Sequence, residues 1–203
     1  MSTINFLAVD FEFTVYTSNT FGRPRAFFPE VIEVGAVVTD EFGKPNGEKY
    51  SAFVKPRFWP RLTDECFAIT GIRQSDVDNG VPLEVAIKKL KAMTPAGGNW
   101  LVAWGDADRK VLGDVCRKYG LEYPFVWADY VDLATSYRGF YKLEKRAALQ
   151  RAIEERNIVK VGISHSALDD AINAALVMEK MINEGWVVER ADELARKTAS
   201  GNA

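Results

Sequence analysis

The sequence predicts a single α/β domain in which three β-strands precede the first long helix and strands then alternate with helices. Runs rich in apolar and β-branched residues at 4–14, 31–39 and 49–55 predict these three strands. A turn-forming cluster at 43–47 separates the second run from the third, which favours an antiparallel meander. Further along, an apolar strand at 99–104 leads directly into a helix at about 107–119. Such a strand-to-helix connection is typical of α/β proteins, which bind ligands beside the carboxyl ends of their strands.

The other helices are predicted from the spacing of their apolar residues. A short helix at 63–70 ends at Gly71, and a longer one begins at Pro82 and ends before Pro95. Its apolar stripe comprises Leu83, Ala86, Ile87, Leu90 and Met93. We also expect a strand at 126–133 that runs into a helical turn, and helices at 143–156 and 167–183. The chain becomes polar beyond Trp186, so residues from about 186 to 203 are interpreted as a C-terminal extension or tail of one domain spanning 1–203.

Composition restricts the class of protein. The chain has 203 residues, of which 47% are hydrophobic and 27% charged, as is typical of a soluble globular domain. Its net charge of −2 excludes the broad basic surface of a protein that coats duplex nucleic acid. Cys66 and Cys116 form neither a redox pair nor a zinc spacing. With no secretory leader and no apolar run of about 18 residues, we expect a cytoplasmic protein that does not contact a membrane; a homo-oligomer is compatible with this sequence.

The first strand carries two acidic residues on one face. Alternation along a strand directs Leu7 and Val9 to one side and Asp10 and Glu12 to the other. Two unpartnered carboxylates are costly inside an apolar strand, and carboxylate oxygens are preferred ligands of Mg²⁺. The pair therefore suggests a metal site, although a strand end with two surface acids remains an alternative at this point.

Two more acidic clusters stand where helices are predicted to begin. One contains Asp106 and Asp108 and follows the 99–104 strand. The other contains Asp169 and Asp170 and follows His165, the only histidine of the chain. Asp106 is also suited to cap its helix, and Asp169 is suited to the first turn of the other helix, where a negative charge is favourable.

Taken together, these residues resemble the pattern of the DEDDh 3′-5′ exonucleases. That family has Asp-x-Glu on its first strand, an Asp that opens a middle helix, and a His five residues before a last Asp. The matching residues here are Asp10, Glu12, Asp108, His165 and Asp170. The spacing of five selects Asp170 over Asp169, and Leu112, four residues after Asp108, favours Asp108 over Asp106. The segments at 104–105, 131–133 and 140–141 are similar to the ERI-1-like and KapD-like branch.

The resemblance implies a fold and a mechanism. The fold is RNase H-like, with a central mixed five-stranded sheet that includes an antiparallel three-stranded meander and is flanked by helices. The four acids would bind two divalent ions, Mg²⁺ or Mn²⁺, and His165 would act as the general base. The residues expected to bind the terminal nucleotide are Phe13, Thr14, Ile72 and Trp104.

We therefore expect an enzyme that hydrolyses single-stranded RNA or DNA from its 3′ end, with RNA favoured, and releases nucleoside 5′-monophosphates. Two alternatives stay open. One is a non-catalytic module that binds nucleic acid or protein on a nuclease scaffold. The other is a hydrolase of very short oligonucleotides, which the modest net charge would suit.

Overall fold

The computed structural model describes residues 5–17, 22–94, 100–126 and 129–188, which contain one five-stranded sheet. Its strands are β1 (Phe6–Phe13), β2 (Val31–Thr39), β3 (Lys49–Phe53), β4 (Trp100–Ala103) and β5 (Tyr130–Asp132). The strand order is β3-β2-β1-β4-β5. Strands β1, β2 and β3 pair antiparallel, whereas β4 is parallel to both β1 and β5. The predicted α/β fold, with a mixed sheet and an antiparallel meander, is confirmed.

Helices flank this sheet. In the described ranges they are α1 (Asp64–Thr70), α2 (Gln74–Asp78), α3 (Leu83–Met93), α4 (Ala107–Tyr119), α5 (Leu133–Phe140), α6 (Leu149–Glu155) and α7 (Ala167–Asn183). Helices α4 and α7 have the predicted bounds, and all five residues of the predicted apolar stripe on α3 are buried. No helix within the described ranges has both the length and the apolar character needed to cross a membrane.

The central strand β1 divides the core into two sides. Leu7 and Val9 pack in the same cluster as Leu90 of α3, on one side of the sheet. Ala8 lies on the other side, in a cluster with Ala171 of α7. Because alternate residues of a strand share a face, Asp10 and Glu12 belong to the side that α7 covers.

Parts of the local prediction were wrong. Helix α6 begins only at Leu149, so 143–148 is not helical. In that segment the Ala147 carbonyl accepts a hydrogen bond from the indole N–H of Trp104, and the Arg146 side chain forms an ion pair with Asp132. Both groups are therefore committed to tertiary contacts, which compete with a local helix. Strand β3 stops before the predicted end, β5 has only three residues, and α2 was not predicted.

Some predictions concern residues outside the described ranges. The predicted first strand starts at Ile4 and the predicted fourth strand at Asn99, and both residues lie outside these ranges. The same holds for the helix-ending Pro95, for 127–128 of the strand predicted at 126–133, and for 189–203 of the proposed tail. Assignment of 1–203 to one domain therefore stays a prediction.

Candidate active site

Strand β1 presents two acids near its carboxyl end. In the pairing with the neighbouring strand β2, Asp10 lies opposite Gly35, and Glu12 lies opposite Glu33. Glu12 is nearly buried, with 9% of its surface exposed. The first two predicted residues are thus held on a rigid strand in the middle of the sheet.

Helix α4 brings Asp108 to the same end of β1. Strand β4 is parallel to β1, so the two carboxyl ends lie side by side, and α4 begins at Ala107, shortly after β4 ends. The Phe11 N–H donates a hydrogen bond of 3.1 Å to Asp108 Oδ1. Because Phe11 lies between the two acids of β1, this bond fixes the Asp108 carboxylate against the acidic strand.

Helix α7 and the residues before it bring His165 and Asp170. Nδ1 of His165 lies 3.7 Å from Glu12 Oε1, and the His165 backbone N–H donates a hydrogen bond of 2.8 Å to Asp170 Oδ2. Ligand-type atoms of Glu12, His165 and Asp170 all lie within 4.8 Å of one another. The His165 side chain is 57% exposed, so water can reach its imidazole.

The pKa values of these acids are raised mainly by burial and, for Asp10 and Glu12, also by neighbouring carboxylates. Burial raises the pKa of Glu12 to about 8, and the nearby Glu33 carboxylate adds to this rise. Burial also raises the pKa of Asp108 to about 7, against the opposing effect of the Phe11 N–H. The pKa of Asp10 is raised as well, first by burial and then by the Asp108 and Glu12 carboxylates. The structure therefore brings Asp10 into the same group of interacting charges.

Glu33 is a further acid of this site that the sequence reasoning missed. It is buried, with 6% of its surface exposed, and its Oε2 accepts the backbone N–H of Ala167 at 3.2 Å. The capping residue of α7, Ser166, makes no side-chain capping bond, so Glu33 satisfies one of the free N–H groups of the first turn. A signal was present in the sequence, because Glu33 is the one charged residue in the run 31–39.

Such a donor set fits hard divalent cations. Carboxylate oxygens are the ligands that Mg²⁺ and Mn²⁺ prefer. Buried acids whose pKa values are raised, as they are for Asp10, Glu12 and Asp108, are unfavourable as free anions, and a bound cation would relieve that cost. Asp10, Glu12, Asp108 and Asp170 are therefore suited to bind metal.

The competing acids have other partners. Asp106 occupies the capping position of α4, but its side chain makes no capping bond, so that part of the prediction was wrong. Its oxygens instead pair with Arg109 at 2.6 Å and Lys110 at 2.7 Å. Asp169 lies in the first turn of α7, as predicted, and its Oδ2 also accepts the Ile163 N–H at 3.1 Å.

The residues predicted to bind the terminal nucleotide are less accessible. Thr14 is 3% exposed, and its backbone N–H and hydroxyl oxygen both bond to Glu30. Ile72 is 4% exposed and packs with Cys66. Neither side chain is presented to solvent for direct contact with a nucleotide.

Phe13 and Trp104 are partly buried. The Phe13 ring stacks on Phe11 with 6.5 Å between ring centroids. The Trp104 ring lies 5.6 Å from that of Tyr137, and its indole N–H donates to the Ala147 carbonyl at 3.1 Å. Both rings have structural contacts in the protein, and their roles in substrate binding stay predictions.

This five-stranded mixed sheet, flanked by helices, matches the RNase H-like fold of DEDDh exonuclease structures. The chain belongs to the exonuclease family RNase_T, whose sequence profile matches residues 7–178, and within it to the DEDDh 3′-5′ exonucleases of the ERI-1-like and KapD-like branch. Enzymes of this type use divalent metal ions. The predicted family and class of enzyme are confirmed.

Individual relatives agree with this assignment. The probable 3′-5′ exonuclease KapD of Bacillus subtilis (strain 168) is 35% identical over 176 residues, which cover 86% of this chain and 82% of KapD. ERI1 exoribonuclease 2 of Mus musculus is 32% identical over 90% of this chain, but the match spans only 29% of the mouse protein. The nuclease domain of 3′hExo, a DEDDh family member bound to rAMP, has a TM-score of 0.79 at 26% identity and covers 93% of this chain and 96% of that domain.

The raised pKa values predict an unusual pH dependence of stability in the metal-free protein. In the folded protein the pKa is about 7 for Asp108 and about 8 for Glu12. At pH values between the ordinary pKa of a carboxyl and these folded values, the native state therefore binds more protons than the unfolded chain. Stability must therefore fall as the pH rises through this window. We expect the Tm measured with chelator to drop by about 5–10 °C from pH 5 to pH 8.

Added Mn²⁺ should raise the Tm more at pH 8 than at pH 5.5, because protons compete with the ion for the carboxylates. Glu12→Gln removes one of the titrating groups and should flatten the slope. A Tm in chelator that stays constant or increases over this range would contradict the prediction.

Proposed function

We propose that this protein removes nucleotides successively from the 3′ ends of single-stranded nucleic acid, preferring RNA to DNA, and releases nucleoside 5′-monophosphates. The observation that carries the proposal is the convergence of acids from β1, α4 and α7 with the imidazole of His165 at one end of the central strand. The preference for RNA is supported by the similarity to ERI1 exoribonuclease 2 and to a nuclease domain bound to rAMP.

In this proposal the metal ligands are Asp10, Glu12, Asp108 and Asp170. Two divalent ions, Mg²⁺ or Mn²⁺, would bind the scissile phosphate when present and offset the negative charge that develops on the leaving 3′ oxygen. The protein contributes the rigid placement of the ligands. Asp108 is held by the Phe11 N–H, and Asp170 is held through its bond to the His165 N–H.

His165 acts as the general base. Its imidazole is exposed to water, and its Nδ1 lies 3.7 Å from a carboxylate oxygen of Glu12, slightly beyond hydrogen-bonding distance. A neutral imidazole in this position accepts a proton from the water that attacks the phosphorus, and it later returns that proton to solvent.

The test is a degradation assay with 5′-labelled single-stranded RNA, DNA of the same sequence, and a labelled dinucleotide, each with Mg²⁺, Mn²⁺ or chelator. The proposal predicts a ladder that shortens from the 3′ end only when metal is present, and faster for RNA. Binding without cleavage would favour a non-catalytic module. Cleavage confined to the dinucleotide would favour a hydrolase of very short oligonucleotides.

His165→Ala separates the general base from the metal ligands. We expect kcat to fall by ~10²–10⁴, the usual scale for loss of a general base, with little change in KM. Mn²⁺ affinity measured by calorimetry should stay near the value of the parent protein, because the backbone N–H that bonds Asp170 is retained. Undiminished turnover in this variant would remove His165 from the mechanism.

A further inference from the structure

The backbone of residues 161–165, here called the His165 loop, is held by side chains of helix α7. Asn173 is fully buried and contacts Val161 through both atoms of its amide. Its Oδ1 accepts the Val161 N–H at 2.9 Å, and its Nδ2 donates to the Val161 carbonyl at 2.9 Å. The two bonds together fix the position and the orientation of the Val161 backbone, because they engage the peptide units on either side of this residue.

The middle of the His165 loop is held in the same way. Asp169 Oδ2 accepts the Ile163 N–H at 3.1 Å, and Asp170 Oδ2 accepts the His165 N–H at 2.8 Å. Gly162 allows this close approach, because a Cβ at that position would lie 2.0 Å from Asp169 Oδ2. Residues 169, 170 and 173 lie on adjoining faces of the first two turns of α7. Side chains from one end of this helix therefore hold the whole loop.

Side-chain packing contributes little to holding the His165 loop. Ile163 is 71% exposed, and the side chain of His165 is 57% exposed. His165 also has φ of +63°, a left-handed conformation that is costly for a residue other than glycine. Such a conformation persists only where surrounding contacts determine it, and here these contacts are the hydrogen bonds from α7.

We propose that Asn173 is a positioning residue for His165: it anchors the start of the His165 loop so that the imidazole faces Glu12 and the attacking water. This inference rests on the proposed function, in which His165 is the general base. Asn173 lies 8 residues beyond His165 in the chain, and within the described ranges the hydrogen bonds of its side chain go to the Val161 backbone rather than to the imidazole or to a candidate metal ligand. Its effect on catalysis must therefore pass through the loop.

The test is a double-mutant cycle between Asn173→Leu and His165→Ala. Leucine has a similar volume but removes both bonds to Val161. With His165 present, Asn173→Leu should lower kcat by about 10- to 100-fold, the cost of a misplaced catalytic group, with KM and Mn²⁺ affinity unchanged. In the His165→Ala background, the same substitution should change kcat by less than about twofold, because the group that it positions is already absent.

A second measurement does not depend on activity. Hydrogen exchange of the Val161, Ile163 and His165 amides should become faster in Asn173→Leu, while the amides of β1 keep their protection. Val177→Ala is the matched control, because Val177 is fully buried one turn further along α7 and packs away from the loop. It should lower the Tm without changing kcat at a temperature where the protein is folded.

The outcomes separate the two proposals. Two results would overturn the positioning role of Asn173 without affecting the proposed nuclease function. One is a double variant in which kcat falls by the product of the two single losses. The other is unchanged hydrogen exchange of the loop amides in Asn173→Leu. Full activity of His165→Ala alone would instead overturn the general-base role and, with it, the assigned purpose of the loop contacts. If the parent protein has no nuclease activity, the proposed function is wrong. In that case slower or unchanged hydrogen exchange of the loop amides in Asn173→Leu would also show that Asn173 does not anchor the His165 loop.

Discussion

Asp10→Asn is expected to reduce exonuclease activity by ~10³-fold or more, since a lost metal ligand removes several kcal/mol of transition-state stabilisation. The same variant should melt at a higher temperature than the parent protein when both are free of metal at pH 8. Burial and the neighbouring Asp108 and Glu12 carboxylates raise the pKa of Asp10, which shows that its charge is unfavourable in the folded state. Asparagine keeps the shape and removes that charge.

The measurements are a ladder assay with Mn²⁺ and thermal unfolding with chelator. Asp114→Asn is the control, because Asp114 is an exposed carboxylate of α4 that pairs with Arg117 at 2.9 Å, outside the site. It should change neither activity nor Tm appreciably. Asp10→Asn that retains activity within tenfold of the parent would show that Asp10 is not an essential ligand.

Gly35→Ala is expected to have the largest effect on folding. A Cβ at Gly35 would lie 2.0 Å from the carbonyl carbon of Ala167 and 2.1 Å from the Leu168 nitrogen, both of them backbone atoms. Helix α7 would have to move away from the sheet, and its first turn carries Asp170. Overpacking usually costs about 1–3 kcal/mol and more when backbone must shift, so the variant should lose ~10 °C or more in Tm.

Activity of Gly35→Ala should fall even where the protein is still folded, because a displaced α7 moves Asp170 and His165 away from β1. Gly139→Ala is the matched control, since Gly139 lies in α5 and a Cβ there has no neighbour within 4 Å. That change should be neutral or stabilise by up to about 1 kcal/mol. Equal Tm values for the two variants would contradict the close packing of α7 on β2.

The elements predicted best are those whose signals are local. Helix α1 is capped by the Thr63 side chain and ends at Gly71, which has φ of +71°. Its ends are thus determined by residues next to it in the chain. The predicted acids converge because Asp10 and Glu12 lie near the carboxyl end of β1, while Asp108 and Asp170 lie in the first turns of α4 and α7, which begin at the same edge of the sheet. His165 comes just before α7 and is brought to this edge with it.

Other features depend on contacts that spacing does not reveal. Thr14 is predicted to bind the terminal nucleotide, but the register between β1 and β2 shifts between Glu12 and Phe13, and Thr14 bonds Glu30 in the interior. Glu33 becomes part of the site only because β2 pairs with β1 in one particular register. Asn173 acquires a role only when α7 and the preceding loop fold against each other.

The exposed His165 imidazole has a practical consequence, since the chain contains no other histidine. The C2 proton of this imidazole gives a proton NMR signal that no second histidine overlaps. Its shift during a titration with diamagnetic Mg²⁺, or its broadening by paramagnetic Mn²⁺, would report ion occupancy a few ångströms away at Glu12, without isotopic labelling of the backbone. Enzyme and reporter group are thus present in the same unmodified chain.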